Sequence, residues 1–328
     1  MGSTNNTSST LPAGHWQASA SYRYFRSHRH FSGTHENKER VKLGNEVINL
    51  SNSLDLGLTY AVTNRLSVSL TVPLSYTDRS SLYEHDRINR YHSQSQGLGD
   101  IRLMGYYWLK KPEVYPDQNI SLGLGVKLPT GNFNAQDDFY VKKGDGTVAP
   151  ERRPVDQSMQ LGDGGVAVML ELQAYKQIFK NTTLYAGGFY MINPRDTNQT
   201  RTYRETLRAS LSNEMYMSVP DQFMARAGVS YALLPQHGLS LSLGGRIEGV
   251  PVRDLIGGSR AFRRPGYAFS VEPVINFAKG NNLFTTGLPI ALIRNRTQSL
   301  TDRASTPPRH GDAAFADYVF YFTYAHRF

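Results

Sequence analysis

The sequence contains no cysteine. A disulfide framework and any thiol chemistry are therefore excluded. No run of about 18 consecutive apolar residues exists either, so the chain has no helical membrane span. Hydrophobic residues make up only 39% of the 328 residues. That share still allows a membrane barrel, whose strands need only about 9–11 residues each and are apolar on one face. No phosphate-binding loop or dinucleotide fingerprint is present, because Gly97-x-Gly99 and Gly123-x-Gly125 lack a third glycine and a following helix. Neither Gly-x-Ser-x-Gly nor His-Glu-x-x-His occurs. We expect no cofactor, no metal centre and no enzymatic activity.

What is abundant is tyrosine (20), phenylalanine (15) and glycine (29). They are organised by alternation, most plainly in the last stretch, 314–328. Ala316, Tyr318, Phe320, Phe322, Tyr324, His326 and Phe328 fall on one face; Phe315, Asp317, Val319, Tyr321, Thr323, Ala325 and Arg327 fall on the other. Period-two alternation marks a strand between two environments. An aromatic face opposite one with Asp and Arg suits lipid on one side and water on the other. Ending on Phe328 resembles the ending of bacterial outer-membrane proteins, which implies recognition by the barrel-assembly machinery.

The pattern recurs upstream in His15–Arg26, Val47–Val62, Leu66–Thr77, Gly97–Leu109, Ile120–Leu128, Gly164–Lys176, Thr182–Asn193, Asp221–Leu233, Leu239–Val250, Pro265–Ala278 and Asn282–Arg294. With the closing strand this makes about twelve. Long polar stretches follow every odd-numbered strand and short turns every even-numbered one. A membrane barrel sorts its connections in this way, with short periplasmic turns and long extracellular loops. The expected fold is all-β: a closed antiparallel up-and-down transmembrane barrel over residues 15–328. A lipid-facing sheet edge is not tolerated, so the sheet must close. Residues 1–14 read as a disordered leader or an artificial start. Met1 to Thr10 has no apolar signal core, so a secretory signal is inferred to have been removed and the location to be the outer membrane. The net charge of +9 is dispersed, with no polybasic block. It reads as loop charge facing lipopolysaccharide, not as a nucleic-acid footprint.

Three stretches carry a family resemblance. They are Gly97-Leu-Gly-Asp-Ile-Arg-Leu103, Leu122-Gly-Leu-Gly-Val-Lys-Leu-Pro-Thr-Gly131 and Leu161-Gly-Asp-Gly-Gly165. Together they resemble the outer-membrane family named for the MetA pathway of phenol degradation, whose members are called transporters. The resemblance implies a barrel and uptake of small aromatic or apolar compounds.

With the apolar faces on lipid, the opposite positions face the lumen: Arg23, Asp55, Asp100, Arg102, Lys127, Glu171, Arg226, Arg246, Glu248, Glu272, Asp317 and Arg327. Six are basic and six acidic. They read either as a mixed-charge pore lining or as ion pairs that rigidify the barrel. Met104, Trp108, Met169 and Met224 share that side, as an apolar path or as space-filling groups. Outer-loop candidates for other chemistry are Asp137-Asp138 and His310-Gly-Asp312 as acid groups, and His28, His30, His35, Glu84-His85 and His92 as metal ligands. Two function classes remain. One is a passive channel for small molecules. The other is a closed barrel whose long loops bind a surface partner.

Overall fold

Alternation at period two builds the whole architecture. The computed structural model describes residues 10–203, 207 and 209–328. Twelve antiparallel strands form a closed barrel. They are β1 (Trp16–Ser32), β2 (Ile48–Ala61), β3 (Leu66–Ser81), β4 (Tyr91–Leu98 and Arg102–Trp108), β5 (Gln118–Lys127), β6 (Ala167–Phe179), β7 (Thr182–Ile192), β8 (Gln222–Leu234), β9 (Leu239–Val250), β10 (Gly266–Lys279), β11 (Asn282–Gly287 and Ile290–Asn295) and β12 (Ala313–Arg327). Each pairs with the next, and β12 returns to β1 from Gln17↔Arg327 to Phe31↔Ala313. Trp16 and Phe328 exchange backbone hydrogen bonds of 2.8 and 2.9 Å at the seam. Among the described residues no helix is long and apolar enough to cross a membrane.

The barrel is apolar outside and polar inside. Leu124 is 62% exposed, whereas Glu272 is wholly buried. Aromatic groups rim the short-turn end of the apolar band: Trp16 lies 4.6 Å from Tyr60, Phe284 lies 5.1 Å from Tyr324, and Arg65 stacks 4.6 Å over Tyr107. Such girdles sit at the membrane interface. The turns at that end are short, and Asn181 (φ 65°) and Gly280 (φ 57°) supply the left-handed backbone that two of them need. Long loops at the other end cover 33–47, 82–90, 128–166, 251–265 and 296–312, together with the described parts of the stretch between β7 and β8.

The boundaries depart from the sequence reading where polarity hides a strand. β1 and β3 continue past Arg26 and Thr77 to Ser32 and Ser81. A hydrogen-bonded ladder does not need an apolar face once it rises above the lipid. The upper part of β4 (Tyr91–Leu98) has the composition of a loop, with Ser93, Gln94, Ser95 and Gln96 all polar, yet it pairs with β3 from Leu74↔Leu98 to Ser81↔Tyr91. β4 then breaks at 99–101, so Asp100 stands in the break and not on a strand. β11 breaks at Leu288-Pro289, where proline offers no ladder N–H. Loop 128–166 is not irregular throughout. It contains a hairpin, Gln136–Lys142 with Val148–Pro154. Of the expected leader, residues 1–9 lie outside the described residues. Ala13 N and Gly14 N are hydrogen-bonded to Asn64 Oδ1 (2.7 Å) and Ala61 O (2.8 Å).

Candidate functional site

The charges that alternate opposite the apolar face meet in clusters. Arg102 Nη2 on β4 donates to Asp55 Oδ2 on β2 at 2.7 Å. On β8 to β10, Arg246 pairs with Glu248 at 2.8 Å and with Glu272 at 3.3 Å, while Arg226 lies 3.9 Å from Glu272. Tyr321 on β12 donates to Glu272 Oε1 at 3.1 Å. Glu171 is held by uncharged donors, Tyr106 Oη at 3.0 Å and Gln173 Nε2 at 2.8 Å. Two predicted residues lie at the barrel ends. Asp317 is 39% exposed and pairs with Arg29 (2.7 Å) and Arg294 (2.6 Å) near the long loops, and Arg327 Nε donates to Gln17 Oε1 (3.0 Å) near the short turns. Arg23 has Asp55, Glu248, Arg246 and Arg102 as its charged neighbours.

An apolar cluster adjoins these charges. Met104, Ala167, Met169, Phe189, Met191 and Met224 are buried together, with Tyr106 packed against them. Met104, Met169 and Met224 each stand two residues along the strand from Arg102, Glu171 and Arg226. Trp108 is not part of this cluster. It meets Tyr175 edge-on at 5.9 Å.

The three motif stretches converge on the break in β4. Asp100 Oδ1 accepts from Gly131 N (3.0 Å), and its Oδ2 accepts from Asp163 N (3.1 Å) and Lys127 Nζ (3.0 Å). Lys127 also pairs with Asp163. Thr130 Oγ1 donates to Gly99 O and accepts from Ile101 N, both at 2.9 Å, bridging the break. The backbones touch here: a Cβ on Gly131 would lie 2.7 Å from Leu161 O, and one on Gly162 would lie 2.7 Å from Gly131 O. Both ends of loop 128–166 are thus clamped at one node. Asp163 escaped the sequence reading because it lies in a loop. Its place in the Leu161–Gly165 motif was the available signal.

The middle of that loop enters the barrel mouth. Asp156 is buried and takes both guanidinium nitrogens of Arg264 at 2.8 and 2.6 Å, with Arg79 at 3.6 Å. Arg79 in turn grips Glu84 at 2.9 and 2.6 Å. Burial opposes charge on Asp156, but Arg264 and Arg79 hold its carboxyl far below the usual carboxylate range. Gln157 Nε2 donates to Ser218 O (2.9 Å) and Phe262 O (3.3 Å), joining the stretch between β7 and β8 to loop 251–265.

The other loop candidates are engaged structurally. Asp137 accepts from Gln94 N at 2.6 Å, and Arg152 lies 3.4 Å from Asp137 and 3.6 Å from Asp138. His30 faces Asp312 through Nδ1 (2.9 Å) and accepts from Val47 N through Nε2 (2.9 Å), while Arg40 also binds Asp312 at 2.6 Å. His85 stacks on Phe139, and His92 lies 2.8 Å from Asp78. His28 and His35 join neither pair. Among the described residues, no three His, Cys, Asp or Glu side chains gather where one metal ion could sit.

The sequence matches no protein-family model and no curated protein. Solved structures share the architecture. The COG4313 outer membrane channel from Pseudomonas putida F1 superposes with a TM-score of 0.65 at 14% identity, covering 100% of both chains. The translocator domain of the autotransporter NalP from Neisseria meningitidis superposes with a TM-score of 0.50 at 10% identity, covering 99% of this chain and 90% of that one. At these identities the likeness is one of fold. The fold is a closed twelve-stranded antiparallel β-barrel of the kind these outer-membrane proteins have.

Proposed function

We propose that the protein is a passive outer-membrane channel for small molecules, with aromatic or apolar solutes as the class that the MetA-pathway resemblance implies. The observation that carries this reading is the apolar cluster of four methionines and Phe189 set beside the paired charges of the barrel interior. Methionine is unbranched and adaptable, so a packed cluster of this kind can rearrange around an apolar solute. An open apolar depression of about 1020 Å³ runs along β4 to β8, but Leu122, Leu124, Leu170 and Leu172 of the outer face line it, so it belongs to the barrel wall and does not mark a solute path. A cavity of about 470 Å³ lies towards the short turns, lined by Thr183, Ser240, Ser242 and Asn276. In this reading ten of the twelve charged positions line the lumen, with Asp317 and Arg327 at its two ends. The apolar outer band meets lipid, the basic loops meet lipopolysaccharide, and the strand ending in Phe328 is the part the assembly machinery engages. The fold it shares with an outer membrane channel agrees with this reading.

The loop contacts at Asp156 and Gln157 favour a second reading, a barrel sealed by its loops and used as a platform for a surface partner. Single-channel recording of refolded protein in a planar bilayer separates the two. Stable steps that scale with salt are expected. Silence from a correctly folded, heat-modifiable barrel would reject the channel and leave the platform.

A further inference from the structure

Among the described residues, Arg23 alone of the twelve charged positions makes neither a hydrogen bond nor an ion pair. Its ladder neighbours are Ser53 on β2 and Tyr321 on β12. The carboxylates that act on it come from two separated strands, Asp55 on β2 and Glu248 on β9. Both are already taken, Asp55 by Arg102 at 2.7 Å and Glu248 by Arg246 at 2.8 Å. Each of these carboxylates already has another guanidinium as its hydrogen-bonded partner, so Arg23 is the arginine of the group left without one. The Arg23 side chain is half-buried and none of its nitrogens is a fully buried atom lacking a partner, so its donors are open to water in the lumen. Arg23 offers five N–H donors in a planar fork that matches a carboxylate edge. Arg102, which shares Asp55 with it, stands two residues from Met104, or roughly 7 Å along the strand. The arginine group and the apolar cluster thus share the barrel interior, with Arg102 between them.

We infer that Arg23 is the selectivity residue of the channel, binding the oxyanion head of small solutes whose apolar body rests on the methionine cluster. Benzoate has that chemistry, whereas benzyl alcohol has the same body without the charge. The inference rests on the channel reading and adds the substrate class to it.

The test is planar-bilayer recording in a KCl gradient, with benzoate or benzyl alcohol added. Unmodified protein should prefer chloride, and benzoate should block at concentrations at least tenfold below those of benzyl alcohol. Arg23→Gln should lose the chloride preference and raise the blocking concentration of benzoate about tenfold; Arg23→Lys should keep the preference. The chain has no cysteine, so Arg23→Cys can be labelled in the folded channel. A cationic thiosulfonate reagent should restore the chloride preference and an anionic one reverse it. A conducting Arg23→Gln protein with unchanged reversal potential and unchanged block overturns the assignment alone. A cation preference in the unmodified protein also overturns it, whether or not any variant folds. Absence of conductance in folded, unmodified protein overturns the channel reading and this inference with it.

Discussion

At the scale of single residues, Asp156 shows how a loop is held in the mouth of a barrel. Its carboxylate is buried against the fork of Arg264, and its depressed pKa has a definite consequence for pH. A group depressed in the folded state contributes stability above its ordinary value, about 3.9 for Asp, and loses that contribution only as pH falls through the folded value. Loop 128–166 should therefore stay in place from pH 7 down to about 4. Hydrogen exchange over residues 132–160 checks this, and loss of protection already at pH 5 would contradict it. Asp156→Asn removes the acid and leaves Arg264, which is half-buried, without its charged partner, while Arg79 keeps Glu84. Breaking a fully buried pair costs on the order of 3–5 kcal/mol, and the partial exposure of Arg264 places this one below that range. Trypsin should then cut at Lys142 and Lys143 at least tenfold faster than in the parent at pH 7.5. Equal rates would mean that the loop is held elsewhere.

At the scale of elements, the node at the β4 break explains why three separated glycine-rich stretches travel together in one chain. The first supplies Asp100 and the break, the second Lys127, Thr130 and Gly131, and the third Gly162 and Asp163. A Cβ on Gly162 would meet Asp100 Oδ1 at 2.4 Å as well as Gly131 O. Gly162→Ala should cost about 1–3 kcal/mol through overpacking and lower the temperature at which the barrel unfolds on a heat-modifiability gel. Gly144→Ala is the control, since nothing lies within 4 Å of its Cβ position. Equal unfolding temperatures for the two variants would remove the node from the account of stability. The stretches were legible in the sequence as motifs, but their meeting was not, because residues 100, 131 and 163 have no local interaction that would announce it.

At the scale of the whole molecule, the barrel is inside-out, with its leucines exposed and its charges enclosed. Leu124 on the outer face is expected to tolerate no charge. Leu124→Arg should cost about 2–4 kcal/mol if it sits near the bilayer midplane, measured as a fall in the urea midpoint of refolding into vesicles. Val148, on the hairpin outside the barrel, is the control: Val148→Arg should change the midpoint little. Similar losses at both positions would argue against a lipid-facing β5.

Twelve strands, their two faces and the sorting of short turns from long loops were all determined by the sequence itself. The reason is that side chains alternate along a strand whatever lies beside it, so each strand declares its two environments locally. Strand ends above the lipid were lost for the same reason, since Ser93 to Gln96 lie where neither face has to be apolar. Tertiary structure alone decided which charges meet. Arg102 finds Asp55 across 47 residues and Arg264 finds Asp156 across 108, because register and closure of the sheet set those distances. The same closure surrounded Arg23 with carboxylates that other arginines had already taken.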